Sequence, residues 1–388
     1  MSDSFAGEFP VTKGNSYLNT ATMGIIPRST VEGIQYEYGK FLTTLPAPVI
    51  YEEDFEAKTE ETRRVFASWI GAQADEVSFQ PSSSTSLNLI TSMIAPRGGE
   101  NVIVDDLGFP SGTFPAMALQ SRGVEVRWAR NKDGLIRGSE YEELLDARTR
   151  LVVVSLVSWI NGLRAEVEEI ARLAHERGAS IVVDSTHGTG YMPIDVKKWN
   201  IDFLVTSNYK WLLATHGATE LYCPRSRLEE FEPPHLGWHS TAHGGGYELS
   251  AERFVVDKTA RRFEPGNPDY ISIMALSKSL EYLGKVGRDR IASRTLRFSM
   301  MVNEGLRRIG MEVLTPSDEE HRSGIVFAYT STVSGQEMAQ RLGKKGITVV
   351  ARTYHGCSGI RVSPYFYNEE ADVERFLDAT RAIVTNPT

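Results

Sequence analysis

Seven short runs rich in Val, Ile and Leu recur between residues 77 and 223, and helical patterns separate them. They cover 77–79, 102–104, 124–128, 151–157, 181–183, 203–206 and 220–223. The runs are nearly continuous in apolar character rather than alternating, so they read as strands covered on both faces. The segment 52–70 carries Phe55, Thr62, Val65, Phe66, Trp69 and Ile70 at helical spacing, and the helical segment 165–177 stops at Gly178. Strands joined by helices require right-handed crossovers, which predicts an α/β fold with a mostly parallel, seven-stranded sheet. Ligands of such sheets sit beyond the carboxyl ends of the strands. The residues just after each run are therefore where chemistry is expected.

The 388 residues allow two to three domains at about 150 residues each. After residue 230 the texture changes. Residues 232–247 are rich in Pro, Gly and His and read as a long loop. Helices follow over 271–310, then strand 324–330, helix 335–343, strands 347–350 and 359–363, and helix 369–383. This predicts a large domain over 15–265 and a small α+β domain over 266–388 that takes in 1–14. A helix opened by Pro27 is expected inside 17–45. The balance of 42 basic and 50 acidic residues leaves a net charge of −8, which argues against sequence-independent nucleic-acid binding. Cys223 and Cys357 are too few for a disulfide framework and fit a reducing cytoplasm. The opening MSDSFAGEFP lacks a signal-peptide pattern, and the near-apolar stretch 151–160 is too short to span a membrane.

Three strand ends carry chemistry. Phe79 leads into Gln80-Pro81-Ser82-Ser83-Ser84-Thr85 and then an apolar helix from Ser86 to Ile94. A hydroxyl-rich turn opening a helix offers an anion site, although taken alone a plain serine cap is the commoner explanation. The run 181–183 ends in Asp184, with His187 three residues on. A buried strand-end carboxylate needs a partner. The run 203–206 leads into Ser207-Asn208-Tyr209-Lys210-Trp211-Leu212. A lysine among apolar neighbours loses solvation and becomes a usable amine nucleophile, whereas a snorkelling lysine is the commoner case. Together, a phosphate site, an aspartate and a lysine are what pyridoxal 5′-phosphate needs.

At these residues the chain resembles the class V aminotransferase group of fold-type-I pyridoxal-phosphate enzymes. That group includes cysteine desulfurases, isopenicillin N epimerase-like proteins and kynureninase-like hydrolases. The family's V-D-x-x-Q/H motif matches Val183-Asp184-Ser185-Thr186-His187, and its S-x-H-K-W-L motif matches Ser207 to Leu212. The resemblance implies that Lys210 bonds the cofactor and later serves as the base at Cα. It implies that Asp184 binds the pyridine nitrogen and that His187 lies near the phenol oxygen. Ser83, Ser84 and Ser207 would hold the phosphate, with Tyr209 in place of the family's frequent histidine. Phe109 would stack on the cofactor ring. Phe263-Glu264-Pro265-Gly266-Asn267-Pro268 is similar to the family's F-E-x-G-T-P. That puts Asn267 where a neighbouring subunit's phosphate is reached and implies a homodimer with shared sites. Arg361, in Arg361-Val362-Ser363-Pro364-Tyr365-Phe366-Tyr367-Asn368, matches the epimerase-like arginine that binds an α-carboxylate. An α-amino acid is thus the implied substrate.

Departures narrow this reading. Cys357 lies four residues before Arg361, too close for the mobile cysteine loop of desulfurases. In Val157-Ser158-Trp159-Ile160-Asn161-Gly162, Trp159 takes the desulfurase Asn position. Trp159 is therefore expected to line the substrate site with Asn161 near it, in a role left open, and the 232–247 loop is expected at the site's mouth, where Trp238 or a histidine contacts the substrate. His235, His239 and His243 recur at helical spacing, but Pro233-Pro234, Gly237 and Gly244-Gly245-Gly246 break any helix, so no metal site is expected. The lean is to a lyase, or a decarboxylating or deaminating enzyme, on a modified amino acid in secondary metabolism. Epimerase and aminotransferase are the alternatives; a desulfurase or a non-catalytic binder ranks below them.

Overall fold

The computed structural model describes residues 5–43, 48–242 and 254–386. Its central sheet has seven strands: β1 (Val77–Gln80), β2 (Asn101–Asp105), β3 (Glu125–Ala129), β4 (Thr149–Ser155), β5 (Ser180–Asp184), β6 (Phe203–Val205) and β7 (Thr219–Tyr222). Across the sheet the order is β1-β7-β6-β5-β4-β2-β3. Only β7 runs against its neighbours; the other pairings are parallel. Every expected strand is present, and the sheet is mostly parallel as the apolar runs predict.

The pleat explains why those runs are continuous. Val152, Val154, Ile181 and Val183 enter one apolar cluster, while Leu151, Val153 and Val182 enter another on the opposite face. The first face is covered by helices Pro48–Trp69, Val167–Glu176 and Tyr270–Val286, through residues such as Phe66, Ile170 and Ile273. The second is covered by helices Ser83–Ile94 and Pro110–Ala118, through Leu87, Ile90 and Ala116.

A second sheet is antiparallel: β8 (Glu312–Val313), β9 (Val326–Tyr329), β10 (Val350–Tyr354) and β11 (Cys357–Val362), in the order β10-β11-β9-β8. Phe298, Val302, Met338 and Phe376 from three helices pack on Val326, Ile360 and Val362 in a third cluster, which Leu18 joins. The chain start is tied in by a parallel pairing of Ser16–Tyr17 with Ile347–Thr348.

Two local differences bear on the site. The helix after β1 starts at Ser83 rather than Ser86, because Ser82 caps it by accepting the Thr85 N–H at 3.1 Å. Strand β10 runs on to Tyr354, past the expected end at 350. His355 and Gly356, with φ of 45° and 82°, close it on β11 in a tight hairpin.

Candidate active site

Strands β5 and β6 are central and pair through Asp184 opposite Val205, so their carboxyl ends open side by side. A cavity of 230 Å³ lies there, lined among others by Ser83, Phe109, Asp184, His187, Ser207 and Lys210.

The backbone of the lysine segment is clamped from two distant parts of the chain. Gly24 donates its N–H to the Tyr209 carbonyl at 2.8 Å. A Cβ at Gly24 would lie 2.0 Å from the Lys210 carbonyl oxygen, so only glycine permits the approach. From the other side, the Tyr365 hydroxyl donates to the Trp211 carbonyl at 2.7 Å.

Lys210 is 7% exposed, and its Nζ lies 3.3 Å from His187 Nε2 and 5.5 Å from the Phe109 ring centroid. Burial brings the amine down to about 8, with Asp184 opposing the shift and Arg361 and Arg352 adding to it. Burial, then the charge of Lys210, pushes His187 well below its ordinary value. His187 is therefore neutral. Its Nδ1 accepts the Trp211 indole N–H at 3.4 Å, which leaves the ring proton on Nε2, facing the lysine. Asp184 Oδ1 accepts the Thr186 N–H at 3.0 Å.

The expected anion site is assembled from hydroxyls. Ser207 Oγ donates to Ser83 Oγ at 3.1 Å, and Ser84 Oγ pairs with Ser111 Oγ at 2.8 Å. Since Ser82 takes the capping duty, Ser83 and Ser84 occupy the first helical turn, whose N–H groups lack intrahelical acceptors. Tyr209 stacks on His216 at 3.9 Å and 17°. These residues fit pyridoxal 5′-phosphate: a helix start and hydroxyls for the phosphate, Asp184 for the ring nitrogen, a buried amine and an aromatic face.

Arg361 stands beside this lining rather than in it. It is 2% exposed and donates to the Trp159 carbonyl at 2.8 Å and to Thr22 Oγ1 at 2.6 Å. Its Nε has no partner, and among the described residues no carboxylate pairs with it. Trp159 links it to the cavity, because the Trp159 ring meets Phe109 edge-on at 5.4 Å. The rest of the Arg361 motif is structural: Ser363 accepts the Ala21 N–H at 3.0 Å, and Asn368 donates to the Tyr17 carbonyl at 3.1 Å.

Two expected residues lie away from the Lys210 cavity, and Asn267 lines a neighbouring one. Asn161 is buried and spends its amide on the loop, donating to the Gly134 carbonyl at 2.8 Å and accepting the Leu163 N–H at 3.1 Å. Trp238 is 43% exposed beside His239 and does not line the Lys210 cavity. Asn267 lines a separate cavity of 450 Å³ with His235, Gln80 and Thr85. Its loop is fixed by Glu264, which pairs with buried Arg63 at 2.7 Å and accepts the Phe79 N–H at 2.7 Å. His239 lies 3.8 Å from Glu264, and His243 is outside the described residues. Cys223 is buried, and burial pushes its thiol up; Cys357 is half-buried. Residues that the sequence reading missed are Ser111, His216, Thr22 and Arg352. His216 had a usable signal, as it immediately precedes the turn into β7.

A family model described as aminotransferase class-V matches residues 16–376. A probable cysteine desulfurase of Methanothermobacter thermautotrophicus is 26% identical over 386 residues, covering 95% of this chain and 94% of its own. The uncharacterized aminotransferase YcbU of Bacillus subtilis is 27% identical over 376 residues, 96% of each chain. Among solved structures, the apo cysteine desulfurase of Thermococcus onnurineus superposes with a TM-score of 0.88 at 24% identity, over 97% of this chain and 96% of that one. At that identity the likeness is one of fold.

Proposed function

Because the chain belongs to the aminotransferase class-V family and is a pyridoxal 5′-phosphate enzyme, we propose that it acts on an α-amino acid as a lyase. C–S cleavage of a modified amino acid in secondary metabolism is the reading we favour. The observation that carries an amino-acid substrate is Arg361, a buried guanidinium without an acid partner among the described residues, whose charge reaches Lys210. Its planar fork suits a carboxylate, and a substrate's α-carboxylate would relieve its isolation.

When bound, the cofactor supplies an electron sink for charge developing at Cα. The residues divide the remaining work. Asp184 would hold a proton on the ring nitrogen. Lys210, largely neutral above pH 8, is the amine that would hold the cofactor and would take or return the Cα proton. Neutral His187 keeps a second positive charge away from that amine. Phe109, beside the Lys210 amine, would cover the cofactor ring and exclude water, and Arg361 would orient the substrate by its carboxylate.

A specific observation keeps cysteine desulfurase as a second reading. Cys357 and Arg361 lie four residues apart on β11 and so share a face of the strand. The hairpin that ties Cys357 to β10 argues against it, since sulfur transfer by a protein thiol needs that thiol to travel. The proposal also includes the two-domain division at 265/266, with 1–14 joining the C-terminal part, and a cytoplasmic setting. It includes a homodimer as well: the Asn267 cavity shares Pro81, Gly217 and Ala218 with the Lys210 cavity and would take a neighbouring subunit's contribution. Full activity in a sedimenting monomer would contradict the shared site.

The deciding experiment is a screen of the cofactor-loaded protein against amino acids bearing leaving groups at Cβ. Release of a 2-oxo acid supports the lyase. Cα deuterium exchange without release identifies an epimerase, and accumulation of the amine form of the cofactor an aminotransferase. Alanine formed from cysteine, abolished by Cys357→Ala, identifies a desulfurase. A protein that gains no visible band with the cofactor is not this enzyme.

A further inference from the structure

Arg361 is not the only isolated cation at the substrate end. Arg352 lies on β10, and the β10–β11 register pairs Val350 with Arg361 and Arg352 with Gly359. Arg352 and Arg361 are therefore diagonal neighbours on one face of the hairpin, with Cα atoms about 7–8 Å apart by sheet geometry. Both are organised around Trp159. The Trp159 carbonyl accepts from Arg361 at 2.8 Å, and the Arg352 guanidinium lies 5.7 Å from the Trp159 ring centroid. Arg352 donates to the adjacent Ala351 carbonyl at 3.0 Å, and its Nε is buried without a partner. Among the described residues no carboxylate pairs with it either. The register and the Trp159 contact set it beside Arg361, and its charge is felt at Lys210, His187 and Arg361.

The charges at this end do not close with a simple amino acid. One α-carboxylate compensates one guanidinium. The cofactor's phosphate is accounted for elsewhere, at the Ser83 helix start. A second, partly buried cation beside the substrate's path is therefore left over, and an uncompensated charge there is costly unless a ligand brings its counter-charge.

We propose that the substrate carries a second anionic group on its side chain, a carboxylate or an acid of similar shape, and that Arg352 binds it while Arg361 binds the α-carboxylate. The inference rests on the amino-acid reading of the site and extends it to a substrate class. It makes Arg352 a specificity residue. The guanidinium lies over the Trp159 ring, and its planar fork suits bidentate receipt of an acid, whereas a neutral isostere leaves the cation unpaired.

The test uses the cofactor-loaded protein and ligands whose Cα carries a methyl group, so that no proton is lost from Cα. Calorimetry compares 2-methylaspartate with 2-methylasparagine and 2-methylglutamate with 2-methylglutamine. At least one acid is expected to bind about 30-fold or more tightly than its amide. Arg352→Gln is expected to bring that ratio near one while the amide's affinity stays within about twofold. Arg361→Gln should weaken acid and amide alike and keep the ratio. Retention of the cofactor's visible band and of the melting temperature shows that each variant is folded. Equal binding of acid and amide by the unchanged protein overturns the proposal. So does an Arg352→Gln variant that weakens both equally, which would assign Arg352 to the α-carboxylate. If amino acids of every kind leave the cofactor band and the calorimeter silent, the amino-acid reading itself falls, and this proposal with it.

Discussion

The two walls of the site are prepared for ligands in opposite ways. Around Asp184 and Lys210, the wall from the central sheet sets neutral groups that satisfy one another. Ser207 bonds Ser83, Ser84 bonds Ser111, and Trp211 bonds a neutral His187. The wall from the C-terminal hairpin holds two guanidiniums, Arg352 and Arg361, each with a buried Nε lacking a partner. Hydroxyl pairs can turn toward a phosphate at little cost. A buried charge without its counterpart costs several kcal/mol. The sheet wall is thus suited to keep a resident cofactor, and the hairpin wall to select a passing substrate by its charge.

If that division is right, substitutions on the two walls should separate cleanly. The largest effect is expected at their meeting point. Lys210→Ala should lower turnover by about a thousandfold or more and abolish borohydride fixation of the cofactor, seen by mass spectrometry. Arg361→Ala should raise KM by roughly 30-fold or more, the scale of 2–5 kcal/mol for breaking a buried charged contact. The cofactor's spectrum should not change. Loss of the cofactor from the Arg361 variant would break the comparison. Ser207→Ala is the mirror case. It removes one hydrogen bond to a charged group, worth about 1.5–3 kcal/mol, and should weaken cofactor binding tenfold or more with KM little altered.

The two walls also differed in how far the sequence disclosed them. Asp184, His187, Ser207 and Lys210 each follow an apolar run directly, so a strand end and its chemistry are read together. All lie at the one cavity. Arg361 is visible through its motif. Arg352 is not, because β10 reads Val350-Ala351-Arg352-Thr353-Tyr354, a half-covered pattern without a clear apolar run. Asn161 shows the converse failure. It neighbours Trp159 in sequence, yet its loop turns the amide to Gly134, a partner no local pattern indicates. Asn267 and His235 share a cavity only through the return of the chain after β7. What local order fixes is legible in one dimension, and what long loops bring together is not.

The lysine supplies a pH test of the sheet wall. Burial lowers its amine to about 8, so protonation suppresses the nucleophile below that value. Cofactor loading onto the apoprotein should rise about tenfold per pH unit up to pH 8 and then level off. A rise continuing to the ordinary lysine range would mean that Lys210 is not desolvated. Neutral His187 should add no inflection near pH 6.5, because burial holds it well below that value.

The smallest expected effect concerns Cys357, on the same strand face as Arg361. Its position would suit a thiol that receives sulfur from the substrate, and the relatives named as probable cysteine desulfurases make that use worth testing. The hairpin opposes it. Tyr354 pairs with Cys357 across the turn, at the end of a ladder that runs back to Arg361. To approach the substrate the thiol would have to leave the ladder, breaking paired backbone at the edge of the wall that holds Arg352. If the hairpin is a rigid selector, Cys357→Ala should change turnover by no more than about twofold, as for a half-buried residue away from the chemistry. If it abolishes turnover while Arg361 and Arg352 variants alter only affinity, the hairpin is a moving carrier as well, and the contrast between a reactive sheet wall and a selective hairpin wall no longer holds.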